Sequence, residues 1–354
     1  MTAIAVDAMG GDNAPEAEVL GALAAVRDSS VRVILVGDET QLRAELTKAG
    51  GSESERLTIR HASEVVLMTD HPGKVFRQKS DSSMRVATDL VLNGEAGAMV
   101  SAGNSGAVLG HCLFLLKRMA SVERPGIVQV FPTPTGTVTM CDLGANVTVT
   151  PLMLAQFGVL GALYDRLLNG NAKPRVGVLS NGTEESKGTE LTRAASELLR
   201  SAAQHADAEF EFVGYVEGSQ LFAGKVDVVA TDGFTGNVVL KTAEGVSEAL
   251  LAMVKKALLT SPRAKIGAAL VKPALEELAQ AIHYSEAGGA MLLGVNGTAT
   301  ICHGHSNARA IRNAILVTNR FLERRLTEEI SLAISRHDKL WEAAKANEKD
   351  RVST

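Results

Sequence analysis

Short apolar runs recur along the chain, each followed by a turn of small polar residues and then by apolar positions at helical spacing. Ile4–Val6 leads to a helix start at Asp12, Asn13 and Pro15, and Val31–Val36 leads to Gly37-Asp38 and a helix over Glu39–Ala49. Ala98–Val100 runs into Ser101-Ala102-Gly103-Asn104-Ser105-Gly106 and an apolar helix from Ala107 to Met119. Thr137–Cys141 leads to Asp142-Leu143-Gly144-Ala145-Asn146 and a helix from Pro151 to Leu168; Arg175–Leu179 leads to Asn181-Gly182 and a helix over Glu190–Gln204. Val226–Ala230 precedes Thr231-Asp232-Gly233-Phe234-Thr235-Gly236-Asn237 and a long helix. Such alternation predicts a Rossmann-like α/β fold, a mostly parallel sheet with helices on both faces. Ligands bind such sheets beyond the carboxyl ends of the strands, and the polar, glycine-rich segments are expected together at that edge.

Two further helical patterns, Val246–Leu259 and Ile266–Ile282, flank Thr260-Ser261-Pro262-Arg263. They predict a helical hairpin, about residues 245–283, inserted in a single α/β domain of residues 1–326. Lys255, Lys256, Arg263, Lys265 and Lys272 cluster around its turn. The pair either packs on the body or a second subunit, or forms an amphipathic tip for anionic lipid or an acidic partner. Residues 327–354 read as a charged surface helix that frays.

A chain of 354 residues with 45% hydrophobic positions has the means for a globular core. A net charge of −4 and 4% aromatics leave neither a basic footprint nor stacking platforms, so nucleic acid is not an expected partner. Cys112, Cys141 and Cys302 show no paired spacing, which fits a reducing compartment and a cytoplasmic chain. The N-terminus reads as a first strand and not a signal peptide, and no apolar run is long enough to span a bilayer. G-x-G, the P-loop and G-x-S-x-G are all absent, which lowers the weight of dinucleotide chemistry, nucleotide-dependent phosphoryl transfer and serine hydrolysis. Cys302-His303-Gly304-His305 is a poor metal signature, and neither metal nor cofactor is expected.

Small residues, two hydroxyls and an amide lie between the strand and the helix at Ser101–Gly106. They leave backbone N–H groups free at a helix start, a setting for a phosphate-like anion. This segment and seven others occur together: Asp7-Ala8-Met9-Gly10-Gly11-Asp12-Asn13-Ala14-Pro15, Asp142-Leu143-Gly144-Ala145-Asn146, Glu185-Ser186-Lys187-Gly188, Val216-Glu217-Gly218, Thr231–Asn237, Asn296-Gly297 and His303-Gly304-His305-Ser306. In this order, from about residue 3 to residue 320, they resemble the PlsX-type phosphate acyltransferases of bacterial phospholipid synthesis. Ser105 stands where Thr is more usual and keeps the hydroxyl.

The resemblance implies transfer of a fatty acyl group from acyl carrier protein to inorganic phosphate, giving acyl phosphate. It also implies a homodimer and a fold akin to isocitrate and isopropylmalate dehydrogenases and to phosphate acetyltransferases. Peripheral contact with an anionic membrane through the hairpin is expected too, with a downstream glycerol-phosphate acyltransferase as a further candidate partner. An acidic carrier calls for a basic docking patch, around Lys255–Lys272 or Arg309–Arg320.

Phosphate is already an anion, so the protein need only place it against a thioester carbonyl and stabilise the oxyanion. Ser101, Asn104 and Ser105 are candidates for phosphate contact, or else helix caps. Lys187 offers a cation, or pairs on the surface with Glu184 or Glu185. Asn237 is placed to donate to the thioester oxygen, with Asp232 orienting it and Gly233 and Phe234 between them, or else the segment is only a turn. Asp142 and Asn146 read similarly, and Asn296 joins the set through its matched motif. Asp12 is expected to cap the first helix, with a secondary role in the site. His303 is a candidate to protonate the departing thiolate. Two other functions stay open. A decarboxylating dehydrogenase would want a metal-binding acid cluster and a cofactor loop, and a non-catalytic acyl-binding module would not need five polar loops.

Overall fold

A computed structural model describes residues 2–282 and 288–352. The strands are β1 (Ala3–Asp7), β2 (Arg32–Gly37), β3 (Leu57–His61), β4 (Ala96–Ser101), β5 (Gly126–Thr133), β6 (Gly136–Cys141), β7 (Arg175–Ser180), β8 (Glu211–Glu217), β9 (Val228–Ala230), β10 (Ala290–Leu293) and β11 (Thr298–Ile301). The helices are α1 (Glu16–Asp28), α2 (Glu39–Lys48), α3 (Pro72–Gln78), α4 (Ser83–Leu92), α5 (Ser105–His111), α6 (Pro151–Asn169), α7 (Glu190–Ala203), α8 (Gly233–Leu258), α9 (Pro262–Ile282), α10 (Ala308–Glu323), α11 (Leu326–Ser335) and α12 (Asp338–Val352).

All eleven strands join one sheet in the order β3-β2-β1-β4-β11-β10-β5-β6-β9-β7-β8. β1, β2, β3, β4 and β11 are mutually parallel, and so are β6, β7, β8 and β9. Between the two groups, β10 is antiparallel to both β11 and β5, and β5 is antiparallel to β6. The β6 group therefore runs opposite to the β1 group. This corrects the expectation of a single loop-bearing edge. The loops after β1, β4 and β11 leave one end of the sheet, and those after β6, β7 and β9 leave the other. Periodicity marks a strand but not its direction, and β5, β10 and β11 are the strands that the βα alternation passes over.

The predicted strand–helix units are otherwise present, and their boundaries have local causes. Thr150, Thr189 and Asn307 cap α6, α7 and α10 by accepting hydrogen bonds from the amides of Met153, Thr192 and Ala310. α1 begins after Pro15 with no side-chain cap, so Asp12 does not cap it as expected. The apolar helix predicted to reach Met119 stops earlier. α5 widens into a π-helical turn, Cys112–Leu116, closed by the Lys117 amide on the Cys112 carbonyl at 3.1 Å, and Lys117 turns to φ 63°.

The C-terminal segment is also corrected. Leu326, Ile330, Ala333, Ile334 and Trp341 share one buried core with the apolar side of α6. Trp341 is 1% exposed, and its indole N–H donates to the Ile334 carbonyl at 3.0 Å. Charged residues frame an apolar stripe there, so α11 and α12 dock on the body.

The predicted hairpin is the pair α8–α9, and its last stretch near residue 283 lies outside the described residues. In α8 only Gly233 and Gly236 are buried, while Val246, Leu250, Met253, Val254, Ile266 and Leu270 along the pair are exposed.

One buried acid gives a stability prediction. Glu18 on α1 is 1% exposed, and its Oε2 has no partner among the described residues. Burial raises its carboxyl to about 8. The folded state therefore favours the protonated acid. That contribution is complete below about 4.5 and is lost as pH rises toward 8. Glu18→Gln is expected to stabilise the fold by up to about 3 kcal/mol at pH 7. Melting curves at pH 5 and pH 8 check this: the gain shrinks in acid, and a pH-independent difference contradicts it.

Candidate active site

Where the strand direction reverses, an open cleft of about 280 Å³ lies over β5, β10 and β11. Ser105 lines it from the start of α5, Leu143 and Gly144 from the loop after β6, and Cys302, His303 and Ser306 from the segment after β11. α8 supplies Asn237, Leu240, Lys241 and Glu244, spaced three and four apart and so on one helical face. Ile127, Leu143, Leu240, Ala290 and Ile301 give part of the wall an apolar character.

The first turn of α8 is held by the loop after β6. Asp142 is 0% exposed, and its Oδ1 accepts from the amides of Ile127, Gly144 and Ala145 at 2.9, 3.3 and 3.1 Å. Its Oδ2 accepts from the Asn146 amide and side chain at 2.7 and 2.9 Å. Burial raises the Asp142 pKa, and these donors pull it back down. The Asn146 side chain also donates to the Pro125 carbonyl, and the Asn146 backbone carbonyl accepts from Gly233 N at 2.8 Å. A Cβ at Gly233 would lie 2.6 Å from the Asn146 carbonyl oxygen, and one at Gly236 would lie 2.0 Å from that of Asp142. Only glycine lets the helix come this close. Asp232 caps α8 and accepts from the Thr235 amide and hydroxyl at 2.8 and 2.7 Å.

This geometry divides the predicted site residues. Ser105, Asn237 and His303 line the cleft. Asp142, Asn146, Asp232 and Gly233 build its support and spend their polar groups on the protein itself. Ser101 is a correction: the residue is 1% exposed, and its hydroxyl is spent on Asp7 Oδ2 at 2.7 Å. Asn104 is another, since it caps α5 and donates to the Met68 and Asp70 carbonyls, both at 3.1 Å. Asn296 sits at the β10–β11 turn, the end of that hairpin away from the cleft, and donates to the carbonyls of Leu116 and Arg118. Lys187 is exposed in the loop after β7, and it does not line the cleft; Phe234 is 62% exposed and does not line it either.

Lys241 is the residue that sequence reasoning missed. Its Nζ lies 2.8 Å from Glu244 and 3.3 Å from His303 Nε2. The available signal was its place one turn beyond Asn237 on the same helical face. An ammonium and an amide only donate, so Nε2 of His303 faces the Lys241 donor and Nδ1 faces the His305 amide at 3.3 Å; a neutral ring accepts from one of them. Nδ1 lies 3.4 Å from His305 Nδ1, and His305 Nε2 lies 3.5 Å from Asp12 Oδ2. Burial and the Lys241 charge lower the His303 pKa, which favours this neutral ring. Asp12 therefore meets the site through His305. His303 stands on the cleft wall with the Lys241 ammonium against its Nε2.

Cys302 also lines the cleft, but burial pushes its thiol up to about 12, so it is not a thiolate nucleophile. Among the described residues no group of three or more His, Cys, Asp or Glu is placed to hold a metal ion.

Comparison with known proteins bears on this cleft. The family model described as "Fatty acid synthesis protein" matches residues 2–329. A phosphate acyltransferase of Geobacter sulfurreducens is 44% identical over 346 residues, covering 97% of this chain and 98% of that one. Among solved structures, a phosphotransacetylase from Streptococcus pyogenes superposes with a TM-score of 0.63 at 17% identity, covering 91% of this chain and 94% of that one. A 4-hydroxythreonine-4-phosphate dehydrogenase from Klebsiella pneumoniae superposes with a TM-score of 0.50 at 17% identity, covering 90% of this chain and 99% of that one. The two structures share the mixed α/β fold with a large central sheet.

Proposed function

This chain belongs to the fatty acid synthesis protein family and is an acyltransferase, and we propose that its cleft passes a fatty acyl group from the thioester of acyl carrier protein to inorganic phosphate. The observation that carries the reading is the cleft's composition. Amide, hydroxyl and ammonium groups face an apolar wall, and the cysteine present is a poor nucleophile. That set suits an attacking group that arrives from solution.

In this mechanism a phosphate oxygen attacks the thioester carbonyl carbon, the C–S bond breaks, and acyl phosphate forms. Hydrogen phosphate carries one proton into the reaction, and that proton balances the departing thiolate as thiol. The Asn237 side chain has no hydrogen-bond partner among the described residues and lies beside Gly144 on the cleft wall, where it is placed to donate to the developing oxyanion. Asn237→Ala is expected to lower kcat about 10- to 100-fold. The assay mixes the chain, an acyl-carrier thioester and phosphate, and follows free thiol. Thiol release that does not depend on phosphate, or nicotinamide turnover in its place, overturns the reading.

The reading extends to a homodimer and to a cytoplasmic chain that touches anionic membranes peripherally, with a downstream glycerol-phosphate acyltransferase as consumer of the product. It also includes kinship in fold with isocitrate and isopropylmalate dehydrogenases. The exposed apolar residues of α8 and α9 support the dimer and membrane contacts. No helix among the described residues is long and apolar enough to cross a membrane. Sedimentation with anionic vesicles and sizing in solution test the two contacts separately.

A further inference from the structure

Sequence reasoning places phosphate at the Ser101–Ser105 turn, but there the Ser101 hydroxyl and the Asn104 amide are already committed to the protein. The opposite wall is different. Ser306 lines the cleft and is 2% exposed, yet its hydroxyl has no hydrogen-bond partner among the described residues. Buried hydroxyls in native folds are nearly always paired, so one left open beside a cleft points to a missing ligand. α10, sixteen residues long, begins just after it, and Ala310 in its first turn also lines the cleft. Asn307 takes the Ala310 amide, and the positive end of the helix still favours an anion beside it. Lys241 stands on the same cleft with Glu244 and His303 Nε2 as partners. An ammonium has three N–H donors, so one direction remains.

We propose that the attacking phosphate sits at the start of α10, held by the Ser306 hydroxyl, the first turn of the helix and the Lys241 ammonium. The inference rests on acyl transfer to phosphate in this cleft and assigns one end of it. Lys241 follows Asn237 by one helical turn, with Cβ atoms about 5–6 Å apart at that spacing. A phosphate on Lys241 and a carbonyl on Asn237 are therefore neighbours, as an attack over about 3–3.5 Å requires. The apolar wall is left for the acyl chain. Glu244 holds the Lys241 amine in place, and its charge disfavours a second anion.

The test titrates inorganic phosphate against the full chain without acyl donor, reading ³¹P line broadening, and then measures the phosphate KM in the thiol-release assay. Ser306→Ala and Lys241→Met are each expected to weaken phosphate binding about tenfold or more, and Lys241→Arg to weaken it less. Ser306→Ala also deletes an unpaired buried hydroxyl, so its melting temperature without phosphate is expected to equal or exceed that of the parent. A merely structural serine would lower it. Unchanged phosphate affinity in both variants, or a parent chain that binds no phosphate, overturns the subsite. Failure of the parent to release thiol in a phosphate-dependent way overturns the acyl-transfer reading instead, whatever the titration gives.

Discussion

Gly236→Ala is expected to lower turnover about 100-fold or more while its helical neighbour Gly245→Ala leaves turnover intact. At Gly236 the new Cβ would lie 2.0 Å from the Asp142 carbonyl oxygen and 2.9 Å from Thr231 Cγ2. The first neighbour is backbone and cannot step aside by a side-chain rotation. The start of α8 must back away by about 1.4 Å, from 2.0 to 3.4 Å, to reach ordinary contact, and a misplacement of about 1 Å already costs about 100-fold in rate when it moves positioned groups. Asn237 and Lys241 ride on that first stretch of helix, so both leave their places together. Overpacking of this kind also costs about 1–3 kcal/mol, or somewhat more against rigid backbone. At Gly245 nothing lies within 4 Å of the new atom. There alanine improves helix propensity by roughly 0.5–1 kcal/mol. Thiol-release rates and melting temperatures of the two variants check the contrast. Equal behaviour would mean that the docking of α8 on the loop after β6 does not position the site.

Asp142→Ala is expected to cost about 3–5 kcal/mol and most of the activity. The carboxylate touches no ligand in the proposed mechanism. It gathers five donors from Ile127, Gly144, Ala145 and Asn146. Alanine leaves these groups without an acceptor in a space where the carboxylate is 0% exposed. Asp142→Asn keeps the shape and one acceptor oxygen but turns an N–H group toward N–H donors, so a smaller loss is expected. Chemical denaturation of the three proteins gives the order parent, Asn, Ala. An Asn variant as stable as the parent would mean that the negative charge contributes nothing to the loop.

The strand–helix units were legible because each carries its own punctuation. Pro151 and Gly37-Asp38 announce helix starts, and Val31–Val36 reads as a buried strand without help from anything distant. The direction of β5 and β10 was not legible, because it is fixed by which strands flank them, a property of the whole sheet. The same divide runs through the site. Ser105, Asn237 and His303 stand on loop or helix positions that the alternation already points to. Ser101 and Ser105 look alike as letters, but a strand turns its residues to alternate sides, and Ser101 lands against Asp7. Asp142 and Asn146 look like ligand contacts until their donors and acceptors are counted. Lys241 was passed over because a lysine within a long helix reads as solvated surface, and only its helical register with Asn237 marks it.

The order of strands in the sheet has a bearing on how the chain is made. β4 ends at Ser101, and the neighbour that closes its open edge, β11, begins at Thr298, about 200 residues later. β5 waits in the same way for β10. At a synthesis rate of about 5–20 residues per second, two bare strand edges stay available for about 10–40 s on the nascent polypeptide, and unpaired edges of this kind invite mispairing and aggregation. Chaperone demand during translation should accordingly persist until the β10–β11 hairpin has left the ribosome.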